Sequence, residues 1–239
     1  MPRRPRIKLA GIPMHLIQRG NNRGACFFAE DDYQFYLNHL GEACKKYAVD
    51  LHAYVLMTNH VHLLMTPQTG EGPSQVMKYL GQRYVQYVNR TYQRSGTLWE
   101  GRFRSCVIGE EDYFLGCQRY IEMNPVRADM VKHPGEYQWS SYGHNAQGFA
   151  NALLRPHPLY TRLGRSIQKR REAYRALFRY ELDPGLVDEI RSTTNGGYVL
   201  GTERFKKEIA AMLGRRTWRG SPGRPVKSEN DTDQQELDL

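Results

Sequence analysis

Two hydrophobic periods alternate along the first half of the chain. Met14 to Arg19 reads as a short strand, and Gly20-Asn21-Asn22-Arg23-Gly24 supplies a turn-rich, basic loop after it. Cys26-Phe27-Phe28 forms a second, shorter extended piece. From Asp31 and Asp32 the period changes: Tyr33, Tyr36, Leu37, Leu40, Cys44 and Tyr47 recur at three- and four-residue steps. That spacing predicts an amphipathic helix, with acidic residues at the N-terminal end where its dipole favours them. Leu51 to Met57 and His60 to Met65 are extended runs broken at Thr58-Asn59, a tight antiparallel connection. Beyond the loop Gly70 to Pro73, Ser74 caps a helix running to about Gln93. Its inner face carries Val76, Leu80, Tyr84, Tyr87 and Val88, and its outer face Lys78, Arg83, Arg90 and Arg94. Ser95-Gly96 ends that helix and Phe103 to Ile108 forms another strand. Glu110-Glu111-Asp112 then opens a third helix, on which Tyr113, Phe114, Cys117, Tyr120, Ile121 and Asn124 make one stripe before Pro125 interrupts it.

The order strand, helix, strand, strand, helix, strand, helix fits an α+β fold of ferredoxin-like type better than a doubly wound parallel sheet. An antiparallel sheet with helices on one face is expected, and its central strands include the one carrying His60. From about Ala146 the character shifts to proline-punctuated, arginine-rich segments. Glu172 to Tyr180, Leu186 to Ser192 and Thr202 to Leu213 read as helices, with a turn at Asn195-Gly196-Gly197 between the last two. A helix-turn-helix DNA reader and an ordinary helical hairpin both fit that pair. The expected organisation is a domain over 1–147, a basic helical accessory region over 148–219 and a disordered acidic tail over 220–239.

Charge narrows the partners. The chain of 239 residues carries a net charge of +9. Glu229, Asp231, Asp233, Glu236 and Asp238 crowd the C-terminal end, so the remainder is more basic still. Such a surplus favours a polyanion, nucleic acid or anionic membrane. Four scattered cysteines without a C-x-x-C pair indicate neither a zinc knuckle nor a disulfide framework, and reduced thiols in a cytoplasm account for them. The basic start, with Arg3, Arg4, Arg6 and Lys8, leads into no signal-peptide core, and no apolar run is long enough to span a membrane. The phosphate-loop pattern G-x-x-x-x-G-K-[ST] is missing as well, so ATP-driven phosphoryl chemistry by that route is excluded.

The candidate chemistry centres on His60-Val61-His62. On a strand, side chains alternate faces, so the two imidazoles project together while Val61 packs the other way. Such a pair is met either as hydrogen-bonded histidines on a half-buried sheet or as two ligands of a divalent metal. The third helix offers the rest of a metal site. Tyr120 and Asn124 lie four residues apart and share a helical face, giving an amide oxygen as third ligand and a phenol oxygen as nucleophile. Phosphoryl transfer follows from that set. A free phenol, ionising near pH ~10, is a poor nucleophile at neutrality, but a cation on the scissile phosphate neutralises charge and helps the leaving oxygen depart. Attack on DNA gives a 5′-phosphotyrosine and a free 3′-hydroxyl, and the conserved bond energy allows rejoining without ATP. Two imidazoles and one amide suit Mn²⁺, with Mg²⁺ as a weaker occupant.

His60-Val61-His62 together with Tyr120-Ile121-Glu122-Met123-Asn124-Pro125-Val126-Arg127-Ala128 resembles the REP-associated tyrosine transposases, a group of the HUH single-strand transposases with one catalytic tyrosine. Leu98-Trp99-Glu100-Gly101-Arg102-Phe103 is similar to the family as well, and the likeness covers roughly 8–145. The resemblance maps the metal ligands onto His60, His62 and Asn124 and the nucleophile onto Tyr120. It implies the ferredoxin-like HUH fold, cleavage and joining of single-stranded DNA with a divalent cation, and palindromic hairpins as targets. Related enzymes act as monomers or as homodimers, and both stay open here. So does a domesticated, non-catalytic hairpin-binding protein or repressor, or a phosphoesterase using water. Basic residues interleaved with aromatics from Arg83 to Arg104 suit phosphate contacts plus base stacking. Among the cations, Arg3, Arg4, Arg102 and Arg104 are the expected DNA contacts.

Overall fold

The structure, a computed structural model, describes residues 4–109 and 112–220. Arg3, the Glu110-Glu111 helix start and nearly all of the acidic tail lie outside the described residues. Among these residues the chain runs β1 (Met14–Arg19), α1 (Glu30–Lys46), β2 (Val49–Met57), β3 (His60–Pro67), α2 (Gly72–Thr91), β4 (Arg104–Ile108) and α3 (Asp112–Glu122). The chain continues through α4 (Asn124–Arg127), α5 (Pro158–Thr161), α6 (Ile167–Ala176), α7 (Pro184–Gly196), β5 (Val199–Leu200) and α8 (Glu203–Leu213). The sheet order is β2-β3-β1-β4-β5. Its first four strands are antiparallel, and β5 joins β4 in parallel.

Alternation along the strands gives the sheet two apolar faces. Leu16, Leu56, Val61 and Leu63 pack under α1 and α2 against Tyr36, Leu40, Leu80 and Tyr84. On the opposite face Val55, Leu64, Cys106 and Ile108 pack against Phe114, Cys117 and Ile121 of α3 and Val187 and Ile190 of α7. Helices therefore cover both faces, not one as expected. The β5 strand and α7 make the chain after residue 148 part of this same sheet and its second core. Cys26-Phe27-Phe28 does not form a strand; the amides of Cys26 and Phe27 both donate to the Thr58 carbonyl, and Phe27 packs into the first core.

The interleaved basic and aromatic residues also turn out differently from a stacking platform. Tyr84 and Trp99 are buried. The hydroxyls of Tyr87 and Tyr92 donate to Asp32, whose carboxylate also accepts from the Phe28 and Ala29 amides at the start of α1. Within α2, helical spacing turns Tyr84 and Tyr87 inward and Arg83 and Arg90 outward, which is amphipathicity.

A buried carboxylate joins α3 to the following segment. Glu122 accepts hydrogen bonds from Ser141 Oγ at 2.6 Å, Asn145 Nδ2 at 2.8 Å and Tyr174 Oη at 2.7 Å. Burial pushes its carboxyl up from 4.5 to about 7, against the pull of those donors. A folded-state value raised above the unfolded one means that the native state holds its proton longer, so this group's stabilisation is present below pH 4.5 and is lost as pH rises through 7. The shift corresponds to roughly 3 kcal/mol. Glu122→Gln should therefore flatten the fall in unfolding midpoint between pH 4.5 and pH 7, measured by thermal denaturation across that range.

Candidate active site

The site is built on the face of the sheet that α3 covers. In an antiparallel pair, directly opposed residues share a face; His60 lies opposite Arg19 and Met57, and His62 opposite Ile17 and Val55. Period-two alternation then puts His15, Ile17 and Arg19 of β1 on the same face as the histidine pair. The two-residue turn Thr58-Asn59 places His60 first in β3. Asn59 braces that corner, donating from Nδ2 to the Arg23 carbonyl and holding His60 Nδ1 with its Oδ1 at 2.6 Å. Gly20 is required where the basic loop crosses the hairpin, since a Cβ there would meet the Gly24 carbonyl oxygen at 2.2 Å.

Above this face α3 presents Tyr120, only 5% exposed. Its ring meets His62 edge-on with centroids 5.7 Å apart and His15 at 5.9 Å. The short α4 begins at Asn124 and ends at Arg127, whose guanidinium lies 4.8 Å from the centre of the Tyr120 ring. His60, His62, Tyr120 and Asn124, the sequence-expected set, all line one cavity of about 350 Å³. His15, Arg19, Arg127 and Asn195 border it too, although sequence reasoning did not select them. For His15 and Arg19 the alternation of Met14–Arg19 is the signal that could have done so.

Hydrogen bonds decide what the donors offer. Asn124 Nδ2 donates to the Tyr120 and Ile121 carbonyls at 2.8 and 3.2 Å, leaving Oδ1 as the atom with unused lone pairs. His60 directs Nδ1 to Asn59, and His62 directs Nδ1 to His15, so each has Nε2 left over. Burial pulls His60 down to about 4, with the Arg19 charge adding to the effect. His62 is held well below the ordinary histidine value, mainly by burial and then by the neighbouring histidines, Arg19 and Arg127. At neutral pH both imidazoles are uncharged, the form that binds a metal. Among the described residues no three His, Cys, Asp or Glu side chains form a metal-binding group, and Asn124 Oδ1 is an oxygen donor on the same cavity as the two imidazoles. Two imidazole nitrogens and one amide oxygen on one cavity fit a divalent cation of Mn²⁺ or Mg²⁺ type.

The expected DNA-contact arginines gather nearby. Arg4, Arg102 and Arg104 line an adjacent cavity of about 360 Å³ together with Arg6 and Phe103. Arg104 donates to Asn195 Oδ1 at 2.8 Å, and Asn195 borders both cavities, so a basic surface leads into the tyrosine site.

Residues 8–124 match the family described as IS200-like transposase. Just under half of the chain is therefore similar to the IS200-like transposases. His15, His60, His62 and Tyr120 fall within the match, and Asn124 is its last residue. A REP-associated tyrosine transposase, solved bound to a REP hairpin, is similar to this chain in fold. Its TM-score is 0.53, at 16% identity over 65% of this chain and 94% of that one. A Deinococcus radiodurans R1 protein described as a candidate transposase aligns with a TM-score of 0.36 at 21% identity, covering 51% of this chain and 96% of its own; that score supports no argument. No curated protein matches the chain. Among the described residues no helix is long and apolar enough to cross a membrane.

Proposed function

We propose that this protein is a transposase that cleaves and rejoins single-stranded DNA at hairpin elements through a covalent phosphotyrosine on Tyr120. The observation that carries the reading is the convergence on one cavity of a phenol with three neutral metal donors, His60, His62 and Asn124. When bound there, a divalent cation supplies charge neutralisation at the scissile phosphate and assistance to the leaving oxygen. The chain's own residues do the rest. Tyr120 Oη forms a bond to phosphorus as the bond to the 3′ oxygen breaks. The phenolic proton leaves to solvent, and the departing oxygen takes up a proton to become a 3′-hydroxyl. The reverse attack by a 3′-hydroxyl restores the strand and frees the tyrosine. Arg127, stacked on the Tyr120 ring, and Arg19, beside His60, place positive charge where the phosphoryl group becomes more negative. The hairpin carried by the structurally similar REP-associated transposase supports a hairpin partner here. The basic surface through Arg4, Arg102 and Arg104 supports a single strand entering the site, and the reading places the protein in the cytoplasm, with its DNA.

The test is incubation of the protein with Mn²⁺ and a hairpin oligonucleotide carrying a single-stranded flank, labelled on the 3′ side of the cut. A denaturation-stable adduct that retains the label, and that is lost with EDTA, is expected. Turnover to hydrolysed product with no adduct points to water as the nucleophile and overturns the reading. Tight binding with neither cut nor adduct overturns it in favour of a non-catalytic hairpin binder.

The basic surface makes its own prediction. Arg104→Ala should weaken binding of hairpins with different flanks about equally and lower the slope of log affinity against log salt by about 1, as loss of one phosphate contact does. Fluorescence anisotropy titrations at several salt concentrations measure both, and an unchanged slope removes Arg104 from the DNA path.

A further inference from the structure

We infer that His15 and Thr194 form a hydrogen-bond relay that fixes the tautomer of His62, so that α7, beyond the family-matched segment, positions the nitrogen offered to the cation. The inference rests on the proposed role of His62 as a metal ligand, but its geometry stands independently of that role. The His15 and His62 rings meet edge to edge, with planes 6° apart and centroids 5.0 Å apart. His15 Nε2 and His62 Nδ1 approach to 2.7 Å. Two nitrogens at that separation share one proton, and the remaining contacts determine which ring owns it. His15 Nδ1 lies 2.9 Å from Thr194 Oγ1, and Thr194 Oγ1 lies 2.7 Å from the Ile190 carbonyl oxygen.

A carbonyl oxygen can only accept, so the single hydroxyl proton of Thr194 goes to Ile190, and the Cys106 thiol, 3.1 Å from Thr194 Oγ1, donates to that hydroxyl oxygen. Thr194 Oγ1 therefore accepts from His15 Nδ1–H. A neutral His15 protonated at Nδ1 has a lone pair at Nε2, which accepts from His62 Nδ1–H. His62 is left with an unprotonated Nε2 on a side chain that lines the tyrosine cavity. The two rings are 1% and 2% exposed, and one proton between two neutral imidazoles is the arrangement that buries no uncompensated charge.

The sequence could not show this relay because it crosses three elements. His15 lies opposite Leu64 in the β1–β3 register, which makes it a diagonal neighbour of His62. Thr194 reaches it only because Val187 and Ile190 seat α7 in the second core. The metal match thus depends on a residue 179 positions further along the chain from His15. Partners that orient a ligating histidine in this way typically matter by about 10- to 100-fold in metal affinity. His15 and Thr194 are positioning residues in this account, since neither is assigned a contact with the reacting atoms.

The test uses the full chain, without metal, labelled with ¹⁵N in its histidines. Long-range proton–nitrogen correlation spectra should show His62 and His15 each protonated at Nδ1 with Nε2 bare. His62 protonated at Nε2 in the wild type overturns the relay. Manganese titration calorimetry provides the second reading. His15→Phe keeps a ring but removes the acceptor, and should weaken Mn²⁺ binding about 10- to 100-fold. His15→Gln, whose amide oxygen can still accept from His62, should recover most of that loss. Wild-type affinity in a His15→Phe variant with a native unfolding midpoint contradicts the relay. If the wild type itself takes up no Mn²⁺, the proposed metal site fails, and the tautomer spectrum alone then upholds or overturns the relay.

Discussion

Tyr120→Phe is expected to abolish the covalent adduct and to lower strand cleavage by a factor on the order of 10⁴ or more, the scale on which removing a nucleophile acts. The substitution isolates the oxygen. Phenylalanine keeps the edge contacts to His62 and His15 and the face beneath the Arg127 guanidinium, so the packing around position 120 changes little. Hairpin affinity should stay within a few-fold of wild type, because phosphate contacts and not the phenol dominate binding. Gel analysis of denatured reactions, alongside anisotropy on the same preparations, separates the two effects. An adduct formed equally well by Tyr120→Phe would move the nucleophile to another residue.

His60→Ala should have an effect of similar size on cleavage for a different reason. It deletes one of three proposed donors at the mouth of β3 and leaves Tyr120 in place. Loss of a direct ligand is expected to reduce cleavage on the order of 10³-fold or more at fixed Mn²⁺, with partial recovery at high metal concentration. Hairpin binding in the absence of metal should be unaffected. His60 is a cleaner choice than His62. Removing His62 would leave His15 Nε2 buried without its partner, at a cost of about 1–3 kcal/mol in stability. Cleavage that persists in His60→Ala without any change in metal dependence would exclude the three-donor site.

The fold was legible where one period held over enough residues. The alternation in β1, β3 and β4 and the helical stripes of α1, α2 and α3 were long enough to register, and the strand–helix order then pointed to the observed α+β class. The two-residue β5 falls below the length at which alternation can be detected, so its parallel pairing with β4 could not be anticipated. The covering of the second face by α7 depends on that same long-range return of the chain. In the site, His60 and His62 announced themselves because Val61 separates them on one strand, and Tyr120 and Asn124 because four residues separate them. His15 gave no comparable signal. Its relation to His62 is set by strand register and its relation to Thr194 by tertiary packing, and neither is a local property. Residues Arg83 to Arg90 show the converse: on α2 the interleaving is the ordinary division of inward aromatics from outward charges, whereas Arg102 and Arg104 lie beyond the helix and line the cavity beside the site.

The most direct test of the central claim is peptide mapping of the adduct itself. Wild-type protein, Mn²⁺ and a flanked hairpin oligonucleotide are reacted, denatured, digested with nuclease and protease, and analysed by tandem mass spectrometry. The account predicts a nucleotide joined through its 5′-phosphate to Tyr120, on the peptide that also contains Glu122 and Asn124. A nucleotide on any other side chain, or cleavage that leaves no nucleotide on the protein, would contradict it.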